Sequence, residues 1–174
     1  SGPCYGMIQK NNEILFVDTD NGLFRYNPYD SMVDKIVELP HATRPHGISY
    51  NESNKKYYIS CSDKDLILEL SDTFQVLREL KLSNKYDSNK MAMHHCNDNL
   101  AMGNSLFVSM FSSTGNWKSD CFDGCIAEFD LTTGQRLNDI CTGLYMPHNI
   151  KSFNGSLHIL DSLPGHLRFS NFSI

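Results

Sequence analysis

The chain has 174 residues, 40% hydrophobic, 11% aromatic and 20% charged, with 15 basic and 20 acidic side chains giving a formal charge of -5. That length and mixture fit one folded domain with its own core and exclude a disordered, charge-rich chain. No basic stripe marks a nucleic-acid binder, and no apolar run has the length of a membrane span or follows a basic leader, so neither nucleic acid nor membrane is an expected partner.

Six cysteines, at 4, 61, 96, 121, 125 and 141, lack any C-x-x-C unit. Thiols set among strand residues read as reduced core positions of a cytoplasmic protein. The secreted alternative draws on Asn51-Glu52-Ser53, Asn154-Gly155-Ser156 and Asn171-Phe172-Ser173, which fit the glycosylation pattern. A Cys121–Cys125 bridge across a turn is a pairing the spacing would permit.

In chain order, the first segment reads "YGMIQ", "EILFVDT", "GLFRYNP" and "DKIVELP", four short runs bounded by turn residues. The second repeats this as "HGISYN", "KYYISCS", "LILELSD" and "VLRELKL". A third has "HHCNDNLAM", "SLFVSMF", "GCIAEFD" and "QRLNDICT", with the excursion "SSTGNWKSDCFD" between its second and third runs. The fourth reads "HNIKSF", "SLHILDS" and "HLRFSNF". Asn21-Gly22, Asp123-Gly124, Thr133-Gly134 and Asn154-Gly155 supply turn chemistry between apolar runs.

Four consecutive strands per unit of roughly 40 to 50 residues form the signature of propeller blades. With Cys4, His46, His95 and His148 as anchors, the residues eleven further on are Leu15, Tyr57, Leu106 and Ile159, and those thirteen further on are Val17, Ile59, Val108 and Asp161. Period-two patterning is thus kept in phase between units. The expectation is one all-β domain over residues 1–174, a propeller with blades at about 5–40, 46–82, 95–141 and an incomplete 148–174. Three and a half blades suggest half of a larger ring, completed by further sequence or by self-association; a small four-bladed ring with a stunted last blade is the alternative.

In a propeller the first strand of each blade lines the central channel, so residues at its start converge at one mouth. His46, His95 and His148 are therefore candidate ligands for Zn or another divalent metal, three imidazoles with an open position being a catalytic arrangement. The structural alternative is that each ring simply bonds a neighbouring blade's carbonyl. His94 competes with His95, because successive strand residues face opposite ways. Asp98 is the candidate general base or the acceptor that fixes an imidazole tautomer, and Arg44 the candidate partner of an anionic substrate group. Asn97, Asn149 and Trp117 are the candidate substrate contacts, Trp117 being the only tryptophan and lying in the long excursion. His166 is peripheral. No G-x-G-x-x-G, P-loop, H-E-x-x-H or G-x-S-x-G motif occurs, so dinucleotide, nucleotide triphosphate, zincin and α/β-hydrolase readings lack their usual support.

The set "RPHGISY", "HHCNDNL", "SMFSSTGNW", "FDGCIAEFD", "MPHNIKSFNGSLHILDS" and "PGHLRF" resembles an uncharacterised bacterial family with a six-bladed, NHL-like or gluconolactonase-like propeller, some of whose members accompany surface-polysaccharide genes. Gluconolactonase-like enzymes hold a divalent ion with carboxylates and Asn, whereas peptidylglycine amidating lyase brings His from several blades onto Zn; the His pattern here is closer to the latter, with Cys4 at the fourth comparable position. The resemblance implies a metal-dependent lyase or hydrolase acting on a small polar or sugar-derived molecule. Its rival is a non-catalytic propeller binding a glycan or protein through Trp117.

Overall fold

The structure, a computed structural model, describes residues 3–18, 22–39 and 44–171. The first blade comprises β1 (Cys4–Lys10), β2 (Glu13–Asp18), β3 (Gly22–Asn27) and β4 (Met32–Val37). The second comprises β5 (Pro45–Asn51), β6 (Lys56–Cys61), β7 (Leu66–Leu70) and β8 (Val76–Lys81). The third has β9 (Cys96–Met102), β10 (Ser105–Met110), β11 (Gly124–Asp130) and β12 (Arg136–Leu144), and the fourth has β13 (Pro147–Phe153), β14 (Ser156–Asp161) and β15 (His166–Asn171). Each blade is an antiparallel meander in sequence order, three with four strands and the last with three. The expected all-β architecture of four-stranded blades is therefore present.

Short turns set these meanders. Asn154 and Gly155 join β13 to β14 with φ of 50° and 74°, the left-handed pair that matches the twist of a tight hairpin. Gly134 turns β11 into β12 with φ of 74°. Asn21 of the Asn21-Gly22 turn lies outside the described residues, as do the last two residues of Asn171-Phe172-Ser173.

The inner strands pack in chain order, β1 on β5, β5 on β9 and β9 on β13. Alternation then sends successive side chains into different layers between blades. Leu15, Val17 and Leu23 meet Ile48, Tyr57, Ile59 and Leu68 between the first two blades. Tyr58 and Ile67 face the other way, onto Leu106, Val108 and Met110 of the third, while Phe107 and Ile126 pack on Ile150, Leu157 and Ile159 of the fourth. All eight positions of the sequence register, Asp161 included, are buried. Each fully buried aliphatic contributes about 1.5–3 kcal/mol relative to exposure. At the two ends the layers lack a cover: Met7 of β1, and Phe153, Leu167 and Phe169 of the fourth blade, are all at least half exposed.

Polar ties also cross between blades. Asp65 accepts the main-chain N–H of His94 at 2.8 Å and that of Met93, fixing the approach to β9. Glu69, only 2% exposed, pairs with Lys56 at 2.6 Å and Arg78 at 2.8 Å, and Arg78 also donates to the Leu131 carbonyl of the next blade. A short α1 (Lys85–Asn89) between the second and third blades buries no residue, so it has no apolar stripe for a sequence reading to detect.

Among the described residues no cysteine is in a disulfide. Cys61, Cys96 and Cys125 are buried and Cys4 and Cys121 exposed, so no bridge joins Cys121 to Cys125 in this structure. Asn51 is only 1% exposed, and its amide nitrogen donates to the Gly103 carbonyl at 2.8 Å. The atom that would carry a glycan is thus committed to the fold. Among the described residues no helix is long and apolar enough to cross a membrane.

Candidate functional site

Strand pairing defines which residues are equivalent at the channel mouth. Cys4 lies opposite Asp18, Pro45 opposite Cys61, Cys96 opposite Met110 and Pro147 opposite Asp161. One residue further along the inner strands come Tyr5, His46, Asn97 and His148; the next are Gly6, Gly47, Asp98 and Asn149. All eight line one cavity of about 220 Å³, together with Met7, Ile48 and Lys151. In every inner hairpin the register shifts across this stretch. Such a bulge at the end of a strand re-aims side chains, and here it does so in four blades at one level.

The pairing moves two anchors of the sequence register. Tyr5, not Cys4, is the first-blade counterpart of His46, and Cys4 is exposed. In the third blade the counterpart is Asn97. His95 lies one residue before β9, at the level of Arg44 and Met146, and all three have left-handed φ, 51°, 46° and 59°. The signal that would have found Tyr5 is the following glycine, since Tyr5-Gly6 and His46-Gly47 share a need for bare backbone. A Cβ on Gly6 would strike the His46 carbonyl oxygen, and one on Gly47 would come within 2.6 Å of the Asp98 Cα. Glycine lets neighbouring inner strands approach this closely.

His46 and His148 have matching hydrogen-bond frames. The His46 Nδ1 is 3.0 Å from the Arg44 carbonyl and 2.8 Å from the Ser62 hydroxyl. The His148 Nδ1 is 2.7 Å from the Met146 carbonyl and 2.7 Å from the Ser162 hydroxyl. A carbonyl can only accept, so Nδ1 carries the proton in both rings and Nε2 keeps its lone pair. Tyr5 lies flat on His46, with centroids 4.5 Å apart and planes 4° from parallel. Burial pushes the pKa of both imidazoles down, in His46 against the Arg44 carbonyl's opposite pull and in His148 against that of Met146. The rings are therefore neutral at neutral pH.

His95 does turn toward this region, its centroid 6.0 Å from that of His46. It packs at 4.5 Å against both Phe111 and Trp117, and Phe111 in turn lies 5.2 Å from His148. Burial, followed by the nearby His46, Arg44 and Lys118, takes its pKa down to about 3. His94 points the other way: its Nδ1 is 2.9 Å from the Ser112 carbonyl and its Nε2 2.7 Å from the Ser83 hydroxyl. Of the two adjacent histidines, His95 is the one facing His46.

Asp98 faces the cavity while tying blades together. Its Oδ1 accepts the Asn99 N–H at 2.9 Å and its Oδ2 accepts the Ile150 N–H of β13 at 2.9 Å. Burial raises its pKa, against the opposing pulls of Lys151 and those two N–H groups. Arg44 contributes its carbonyl to the His46 frame, whereas its guanidinium, 3.9 Å from Asp63, lines a neighbouring hollow. Trp117 opens a 3-10 turn (Trp117–Ser119); its indole N–H donates to the Ala92 carbonyl at 3.1 Å and Lys118 Nζ sits 3.9 Å over its ring. Asn97 is buried and Asn149 exposed, both on the cavity wall.

Two imidazoles whose Nδ1 protons go to carbonyls are chemically suited to accept a proton or to ligate a borderline divalent ion at Nε2. Among the described residues, however, no group of three or more His, Cys, Asp or Glu is arranged to hold a metal ion. The cavity offers paired bases and a carboxyl of raised proton affinity, flanked by amide and ammonium donors.

Fold and cavity together define a β-propeller array with a histidine-flanked cup at the channel mouth. No protein-family model matches the sequence, and no curated protein matches it. Among solved structures, a chain of the nidogen/laminin complex aligns with 97% of this chain and 60% of its own, at 14% identity and a TM-score of 0.71. Virginiamycin B lyase from Staphylococcus aureus aligns with 98% of this chain and 56% of its own, at 14% identity and a TM-score of 0.62. The computationally designed Ika4 protein aligns with 99% of this chain and 93% of its own, at 9% identity and a TM-score of 0.62. The chain thus spans a little over half the length of the nidogen/laminin and lyase chains. At these identities the likeness is one of fold.

Proposed function

We propose that the cup is the active site of a lyase or hydrolase acting on a small polar or sugar-derived molecule, with His46 and His148 exchanging protons with it through Nε2. The observation that carries this reading is the repeated frame, carbonyl plus serine on Nδ1, at equivalent positions of two blades. A ring needed only for packing would have no reason to be oriented and kept neutral twice at one cavity wall. The small volume supports a small substrate.

In the lyase form, one Nε2 takes a proton from carbon and the electron pair left behind becomes a double bond as the adjacent C–O bond breaks. The leaving oxygen then takes its proton from Asp98, whose raised pKa suits a donor. Water then carries the imidazolium proton to the Asp98 carboxylate, restoring both groups. Asn97, Asn149 and Lys151 orient the substrate's oxygens from the wall. A divalent ion is the alternative form of this reading: the Nε2 atoms of His46 and His148 would then hold it instead of exchanging protons, and it would supply positive charge to polarise a substrate oxygen.

The rival glycan-binding role has less support, because the Trp117 ring is already engaged by His95 and Lys118. The test is a screen of sugar lactones, uronate oligosaccharides and virginiamycin B, read by mass spectrometry, with and without added Zn. The proposal expects a product isomeric in total mass with the substrate, or one water heavier, that disappears in both His46→Gln and His148→Gln. Turnover that survives both substitutions would refute it.

A further inference from the structure

His95 also lines a second hollow, of about 290 Å³. Arg44, Lys90 and Lys118 reach it, over walls that include Tyr86, His95 and Trp117. Asp63 is the one carboxylate among these lining residues. A chain carrying a net charge of -5 therefore gathers three cations against a single anion here. That anion stands only 3.9 Å from one terminal nitrogen of Arg44, both side chains being about half exposed, a weak contact in water.

The cations are anchored by their backbones. Arg44 has a left-handed φ of 46° and its carbonyl holds both the Ser62 N–H and the His46 ring. Lys90 caps α1 with φ of 55°, its N–H 2.7 Å from the Tyr86 carbonyl. Lys118 lies inside the Trp117–Ser119 turn, whose N–H at Trp117 is bonded to the Met93 carbonyl at 3.3 Å. Three cationic stems held at fixed points around one hollow resist collapse and remain poised for an anion.

We propose that this hollow binds the phosphate or carboxylate group of a small organic anion. It rests on the proposed function only in making that group the second end of a ligand whose reacting end lies in the histidine cup. Binding itself needs nothing from His46 or His148.

Trp117, the only tryptophan, reports on the hollow directly. Its fluorescence and indole N–H resonance would be followed during titration with phenyl phosphate, benzoate and phenol. Saturable responses to the two anions, weakening with added salt and absent with phenol, are expected. Arg44→Gln and Lys118→Gln should each weaken anion binding about tenfold, the cost of one hydrogen bond to a charged group, while Lys35→Gln, outside the hollow, leaves it unchanged. His46→Gln and His148→Gln should keep the full response, so loss of catalysis and loss of anion binding are separable. A wild-type protein that ignores both anions, or responds equally to phenol, would overturn the inference, as would affinity unaltered in Arg44→Gln and Lys118→Gln or abolished in His46→Gln.

Discussion

His46 and His148, on inner strands of blades two apart in the array, are held in the same way: each Nδ1 is bonded to the carbonyl two residues earlier and to a serine just past the neighbouring strand. The carbonyl fixes the tautomer, and the serine supplies a second acceptor. Ser62→Ala and Ser162→Ala should therefore leave the tautomer intact and cost about 1 kcal/mol or less each. Imidazole nitrogen NMR and denaturant titration read the two effects; a switch to the Nε2–H form would assign tautomer control to serine instead.

The close approach at Gly47 yields a stability prediction. A methyl there would meet the Asp98 carboxylate and lie 2.6 Å from its Cα, so the inner strands β5 and β9 must part. Gly47→Ala should destabilise by about 1–3 kcal/mol, as overpacking does, measured by urea denaturation. Gly155→Ala has nothing near its Cβ but has φ of 74°, so it should cost about 1 kcal/mol through backbone strain alone.

Stability should also fall on acidification through the histidines. His95 has a folded pKa near 3 against about 6.5 unfolded. Between those values the unfolded chain takes up a proton that the folded chain refuses, so stability is full above about pH 6.5 and declines below it. His46 and His148, also pushed down, act with the same sign; Asp65 and Asp98, pushed up by burial, act with the opposite one. Comparing wild type with His95→Gln isolates the first contribution. The variant should lose about 2 kcal/mol less than wild type between roughly pH 7 and pH 5, and parallel pH profiles would contradict this.

The uncovered end layers predict association of the 174-residue chain. Phe153, Leu167 and Phe169 present an apolar face where a further blade would pack in a ring. Analytical ultracentrifugation should show self-association that weakens in Phe153→Ser/Phe169→Ser, whereas a monomer at high concentration would mean that this face is tolerated in water.

Much of the fold is legible in the sequence because strand alternation and turn residues are local properties. The blades were readable from "EILFVDT", "KYYISCS", "SLFVSMF" and "SLHILDS", whose side chains at alternate positions enter different inter-blade layers. The mouth residues were harder, because a bulge shifts the register there and the hairpin between β5 and β6 has a longer turn than the others. The glycine after Tyr5 carries the first-blade equivalence that the anchor at Cys4 misses by one residue. His95 has a place in the repeat but lies a residue outside the strand. That Arg44 and Trp117 serve a separate hollow depends on α1 and the loop after β10, whose placement no periodicity encodes.

The proposed chemistry needs unprotonated Nε2 atoms on His46 and His148 at neutral pH. The most direct measurement is a pH titration of the histidine side-chain nitrogens by NMR, with His46→Gln and His148→Gln used to assign the signals. Both rings are expected to be neutral Nδ1–H tautomers that protonate only below the usual histidine range. Either ring found as the Nε2–H tautomer, or as an imidazolium at neutral pH, would contradict it.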